Sequence, residues 1–269
     1  MRRLFATFLL MACALSAAEK TAVDEAYRQM YNLEFADAHR TLAEWERSHP
    51  DDPMGPVSDA AAWLYSEFDR LRVLQSEYFV ENHSFFGMHK LVADPTAKRK
   101  FEEDLAKTGE LADRALKKSP NDENALLAQI LRSGLHSDYL AMIEKKYMAA
   151  LSEVKISRGL AERVLAAHPD LYDAYLAIGT ENYLLSQKPA PVRWLLHIGG
   201  AETDKQMGID KLRLTARKGR YLAPYARLIL AVADLRDNDV AHARQELATL
   251  AAEFPHNHLY REELAKLRS

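Results

Sequence analysis

Four helix-patterned runs in this chain stop one residue short of a proline: Ser48-His49-Pro50, Lys118-Ser119-Pro120, Ala167-His168-Pro169 and Glu253-Phe254-Pro255. Proline has no amide hydrogen to give a helix interior, and it drives its predecessor out of the α region. A polar or Asp/Asn-bearing restart follows each stop, offering side-chain acceptors to a new first turn. Between stops, apolar residues recur at helical spacing and strand alternation is nearly absent. Ala22, Ala26, Met30 and Leu33 form one stripe, Phe35, Ala38, Leu42 and Trp45 a second, joined by a tight Asn32–Glu34 turn. The pattern predicts an all-α chain: an α-solenoid of stacked antiparallel helix hairpins, with about 12 helices.

The array is irregular. The four prolines lie 70, 49 and 86 residues apart, so the repeats are degenerate and carry insertions. The second hairpin is stretched, with a long helix expected from Val57 to about Asn82, the loop His83–His89, and a partner from Thr96 to Lys118. The third pair runs from Asn121 past Gly134 toward Ile143, then from Tyr147 to Ala167. Asp170 is expected to cap the fourth, which breaks at Lys188–Val192. Gly199 and Gly200 permit a reversal, and Thr203–Gln206 reads as a capping box for a helix ending at Lys218-Gly219. A final helix, Leu259–Leu267, follows the cap Asn257 and suits the end of a stack.

Residues 1–18 read as a cleaved signal peptide, with Arg2 and Arg3 ahead of the apolar run Leu4–Met11 and small residues at Leu15-Ser16-Ala17-Ala18. Cleavage is expected after Ala17 or Ala18, leaving 19–269 as the solenoid domain. Leu10-Met11-Ala12-Cys13 also resembles a lipoprotein cleavage site, which would leave Cys13 lipidated. Both readings place the protein outside the cytoplasm, in the periplasm or cell envelope of a Gram-negative-type bacterium. Cys13 is the only cysteine, so residues 19–269 can form no disulfide, thiolate metal site or cysteine nucleophile. No later segment is apolar and long enough to span a bilayer.

Formal net charge is −3, from 36 basic and 39 acidic residues, and removal of Arg2 and Arg3 takes it to −5. Without a basic stripe, nucleic acid is an unfavourable partner. There is no Gly-x-Ser-x-Gly, phosphate-cradling glycine loop or His-Glu-x-x-His. Neither His83/His89 nor His256/His258 has the spacing of helical zinc ligands. The expectation is therefore no catalytic residue, no metal and no cofactor. Carboxylates read as salt-bridged helix faces, with Glu25–Arg28 and Glu103–Lys107 as examples.

Three groups are candidates for partner contact. Glu181, Asn182 and Tyr183 set polar groups inside an apolar segment. These either bond the freed backbone of the 188–200 break or face a groove and hold a ligand's backbone. Tyr78, Asn82 and His83 end the long helix beside Phe85 and Phe86, where aromatic and amide groups suit peptide recognition. Arg193 and Trp194 form either an exposed anchor pair or, for Trp194, packing beneath the next helix.

Leu33-Glu34-Phe35-Ala36-Asp37-Ala38 with Leu42, Trp45 and Pro50 resembles one tetratricopeptide repeat, and Ala241–Leu247 with Leu250 and Phe254-Pro255 resembles another. With Asp173–Tyr183, Pro191–Trp194, Gly199–Lys205, Gly208-Ile209 and Gly219–Tyr221, the chain is similar to bacterial exported tetratricopeptide-repeat proteins of undefined activity. The resemblance implies a concave groove lined by the first helix of each pair, holding a protein or peptide. The resulting expectation is a non-enzymatic envelope scaffold or adaptor. A small-ligand or lipid binder is the alternative, and a carbohydrate-active enzyme the remote one.

Overall fold

All four proline stops end a helix at the residue before the proline. His49, Ser119, His168 and Phe254 have φ of −132°, −135°, −129° and −123°, with ψ of 62°, 96°, 73° and 73°. All four have left the α region, as a following proline requires, and Ser119 is extended. The computed structural model describes residues 21–73, 91–188, 192–194, 200 and 203–267, and among these the chain is all-α, with no strand.

Besides the helical residues 192–194, eleven α-helices have both ends among the described residues. They are α1 (Ala22–Tyr31), α2 (Phe35–Ser48), α3 (Met54–Arg70), α4 (Pro95–Lys118), α5 (Glu123–Asp138), α6 (Tyr147–Ala167), α7 (Tyr175–Ser186), α8 (Lys205–Lys218), α9 (Ala223–Arg236), α10 (Val240–Glu253) and α11 (His258–Lys266). A π-helical turn, Tyr139–Ile143, continues α5, and a short 3-10 turn, Tyr172–Ala174, leads into α7. Consecutive helices pack as pairs and each pair packs on the next, which makes the fold solenoid-like.

Side-chain caps open six of the eleven helices, and α7, which follows Ala174 without such a bond, is not capped by Asp170. Thr21 and Asp24 form a capping box on α1, and Asp94 accepts from the amides of Thr96 and Ala97 at 2.9 Å each. Asp122, Asp239 and Asn257 cap α5, α10 and α11 in the same way. The start of α8 differs from expectation: Asp204, not Thr203, is the cap, accepting from the Met207 amide at 3.0 Å.

Two other expectations need correction. The long helix of the second pair ends at Arg70 rather than near Asn82. Arg72 adopts φ 54°, its amide returns to Asp69 and that of Val73 to Phe68, which satisfies the last carbonyls without glycine. Glu103 pairs with Arg99 and Lys100, while Lys107 reaches Glu46 on α2 at 2.5 Å. Gly200 does adopt φ +77°. Gly219 sits at φ −60° and serves close approach instead: a Cβ there would lie 2.8 Å from an Asp173 carboxylate oxygen.

The largest apolar cluster spans α1 to α5 around Ala26, Ala38, Leu42, Val57 and Leu64, and takes in Tyr221 and Leu222 ahead of α9. That last contact reflects a closure. The Tyr31 hydroxyl donates to the Tyr221 carbonyl at 2.9 Å, and Asn257 Nδ2 donates to the Tyr31 carbonyl at 2.8 Å. The His256 amide donates to Asn32 Oδ1 at 3.2 Å. Tyr31 also lies against Phe254, ring centroids 5.3 Å apart. The first hairpin thus meets the last, and the stack bends until its ends touch.

Candidate functional site

Because the stack closes, the first helices of the pairs converge on a common interior. Residues of α3, α5, α7 and α9, with two from α6, surround a cavity of about 140 Å³. Leu131 and Leu135 of α5 and Leu176, Leu184 and Leu185 of α7 give it apolar walls. Gly134 belongs to the wall too, and a Cβ built on it meets nothing within 4 Å, so its missing side chain keeps space open.

Three acids and two tyrosines interrupt these walls: Asp138, Asp173, Glu181, Tyr65 and Tyr225. Their partners differ. Asp173 is buried and accepts from the amides of Arg220, Tyr221 and Leu222 at 2.9–3.1 Å. Burial raises its pKa, and these three amides pull the other way. Glu181 is enclosed and meets the Arg158 guanidinium at 3.4 Å, while Arg158 Nη2 reaches the Gly200 carbonyl at 3.1 Å. Asp138, at the last position of α5, has the Tyr225 hydroxyl as donor. Burial pushes its carboxyl up to about 7 despite that hydrogen bond. Burial also drives the Tyr225 and Tyr65 hydroxyls well above the ordinary phenol value. Thr180 Oγ1, buried in the same wall, has no hydrogen-bond partner among the described residues.

A second cavity, about 220 Å³, lies between α4, α5 and α6. Its charged groups are spent on one another and on backbone. His136 bonds Glu153 at 2.9 Å, Arg132 donates to the Leu105 carbonyl at 2.8 Å, and Glu144 is held by Lys98 and Lys146. The smaller cavity is the better candidate because it retains an incompletely paired acid in an apolar wall.

The residues expected from sequence are distributed unevenly over this site. Glu181 lines the cavity, tied to Arg158. Asn182 is fully buried: Nδ2 donates to the Ile178 carbonyl at 3.1 Å and Oδ1 accepts from the Asp204 amide at 3.0 Å. It is therefore occupied in tying α7 to the start of α8, on the far side of the 188–200 break, and cannot face a groove. Tyr183 packs with Ile209, Leu212 and Leu230. Arg193 donates to the carbonyls of Ser186 and Lys188 at 3.3 Å each, a cation closing the C-terminal end of α7. Trp194 is 67% exposed, so it does not pack beneath the following helix. Tyr78, Asn82, His83 and Cys13 lie outside the described residues.

Sequence reasoning missed Asp138, Tyr225, Tyr65 and Gly134. A signal existed: Leu131, Gly134, Leu135 and Asp138 share one face of α5, so a carboxyl and a glycine fall on an otherwise apolar stripe. Among the described residues, no three His, Cys, Asp or Glu side chains gather as a metal site, and no helix is long and apolar enough to cross a membrane. The chain matches no family model, curated protein or solved structure.

Proposed function

We propose that this protein is a non-enzymatic scaffold or adaptor of the cell envelope, a degenerate tetratricopeptide-like array that grips a segment of a partner protein by one inserted side chain. The size of the interior cavity carries the reading. Pockets for complete small ligands usually enclose about 300–1,000 Å³, whereas an apolar cavity near 150 Å³ accommodates something the size of benzene. A cavity of about 140 Å³ therefore fits one side chain better than a whole metabolite or an acyl lipid. Burial of one such anchor contributes about 1.5–3 kcal/mol, too little for a lasting complex, so the partner must touch more surface. Leu184, 46% exposed at the rim, and Trp194, just beyond the end of the same helix, supply apolar surface for that purpose. The partner-facing set becomes Tyr65, Gly134, Asp138, Leu184, Tyr225 and Trp194, with Asn182 and Arg193 assigned to structure.

Site-specific photocrosslinking in the native cell tests this. A crosslinker in place of Leu184 is expected to trap a reproducible partner, and one in place of Met148, which is 80% exposed and outside the cavity wall, is not. The Leu184 product should vanish when Gly134→Leu fills the cavity. Equal trapping from both positions, or trapping indifferent to Gly134→Leu, overturns the reading.

A further inference from the structure

The cavity wall selects among anchors by charge. Its ionisable groups are Asp138 from α5, Asp173 and Glu181 from the α7 segment, and the hydroxyls of Tyr65 from α3 and Tyr225 from α9. Among the described lining residues there is no Lys, Arg or His. Two of the three acids have their charge accounted for, Asp173 by three backbone amides and Glu181 by Arg158. Asp138 has the single donor Tyr225, and the hydroxyl of Thr180 is unused in the same wall. An acid held in apolar surroundings with one hydrogen bond is stabilised most by a cation brought to it.

We propose that the cavity receives a lysine side chain of the partner segment, its aliphatic stem against Leu131, Leu135 and Leu176 and its ammonium on Asp138. This deepens the adaptor reading and rests on it. Lysine fits better than arginine for a geometric reason. A guanidinium binds a carboxylate best through both oxygens, and Tyr225 already engages Asp138, whereas a compact ammonium can engage one oxygen and keep two donors for other acceptors of the wall, such as Thr180 Oγ1. The stem is also the part of lysine that tolerates apolar surroundings. An apolar anchor such as leucine would leave Asp138 with no new partner, and an acidic anchor would find no cation among the lining residues.

Titrating the full chain with n-butylammonium, which has the four-carbon stem and ammonium of a lysine side chain, and with n-butanol, its neutral counterpart, tests the proposal by protein-observed NMR. Butylammonium is expected to saturate in the millimolar range with shifts on α5, α7 and α9, at least about tenfold tighter than butanol, consistent with a charge-assisted hydrogen bond. Asp138→Asn should erase that preference, and Gly134→Leu should abolish both interactions. Because the acid must be ionised to hold the cation, butylammonium affinity should weaken by one to two orders of magnitude from pH 8 to pH 5. Equal binding of the two probes, a preference that survives Asp138→Asn, or no saturation by butylammonium overturns the proposal. Partner trapping at Leu184 without ammonium preference would leave the adaptor reading standing and remove the lysine. Ammonium preference without any trapping would remove the adaptor reading and, with it, the lysine's source.

Discussion

Arg220 and Asp24 stand 196 positions apart in the chain and form a two-point ion pair, Nε to Oδ1 at 2.7 Å and Nη2 to Oδ2 at 2.6 Å. The pair joins the first helix to the segment that opens the ninth. Burial alone would raise the Asp24 carboxyl, but Arg220 and the Thr21 cap together hold it below the ordinary value. With a depressed folded pKa, its contribution is present at neutral pH and is lost as pH falls through that value. Arg220→Ala should cost about 1 kcal/mol at neutral pH, since Arg220 is itself half-exposed and the pair is screened. Urea unfolding gives that number. Hydrogen exchange should quicken in Ala22–Tyr31 and Phe254–Tyr260 together, and acceleration confined to one of them would contradict the closure.

Asp173 is a sharper test of stability. Its buried carboxylate satisfies three consecutive amides, those of Arg220, Tyr221 and Leu222. A buried donor left unmade costs about 1–3 kcal/mol. Asp173→Ala should therefore remove about 3 kcal/mol or more, and Asp173→Asn less because it keeps one acceptor. A loss below 1 kcal/mol for the alanine variant in chemical denaturation would mean the three amides find other partners.

Two glycines should respond in opposite directions. At Gly208 a Cβ would lie 2.6 Å from the Tyr183 amide nitrogen and 3.0 Å from the Gly179 carbonyl oxygen, so α7 and α8 touch through backbone. Gly208→Ala must force them apart, with an expected loss of about 2–3 kcal/mol. Gly134 faces open space within α5, where alanine gains about 0.5–1 kcal/mol over glycine. Thermal melts of both variants check the pair of signs.

Asp138 makes stability depend on pH. Its carboxyl titrates near 3.8 when unfolded and at about 7 when folded. Between those values the unfolded chain is ionised and the folded one protonated, so the native state binds the extra proton and loses stability as pH rises. Asp138→Asn removes the effect. Its advantage over the wild type should be absent below about pH 4, grow through pH 7 and then level off at no more than a few kcal/mol. Asp104 shifts the same way, pushed up to about 8 by burial and by the neighbouring Asp59. The comparison is therefore with the wild type at each pH and not across pH alone. A substitution that stabilises the fold while erasing ammonium preference marks a residue kept for binding.

Helix ends divide into those legible in the sequence and those not. The proline stops and the Asp and Asn caps act through contacts within a few residues, so Pro50, Pro120, Pro169, Pro255 and Asn257 announce themselves, while the caps Asp94 and Asp122 lie one or two residues from the starts read at Thr96 and Asn121. The turns at Leu33 and Lys145, φ 63° and 58°, fall between apolar stripes whose ends the sequence shows, whereas Arg72 turns the chain with φ 54° and has no glycine to betray it. That is why the helix after Pro53 was expected to run on past Arg70. The closure was illegible for a different reason: it depends on Tyr31 meeting Tyr221 and Asn257, and nothing local to either stretch encodes the other. The candidate site inherits that difficulty. Asp138 and Gly134 could be found on one stripe of α5, but Tyr65 and Tyr225 join them only because the stack bends. Asn182 drew attention as a polar group in an apolar helix. The Asp204 amide it accepts lies beyond a break that the local pattern does not bridge.

An open row of hairpins can gain or lose one and leave all but its immediate neighbours undisturbed. This one cannot. With one pair more, Tyr31 would no longer reach Tyr221 and Asn257 would have no carbonyl to cap. With one fewer, the wall between α3 and α9 would collapse inward. The number of units is therefore itself a structural constant, and it fixes the bore of the interior as firmly as any side chain lining it.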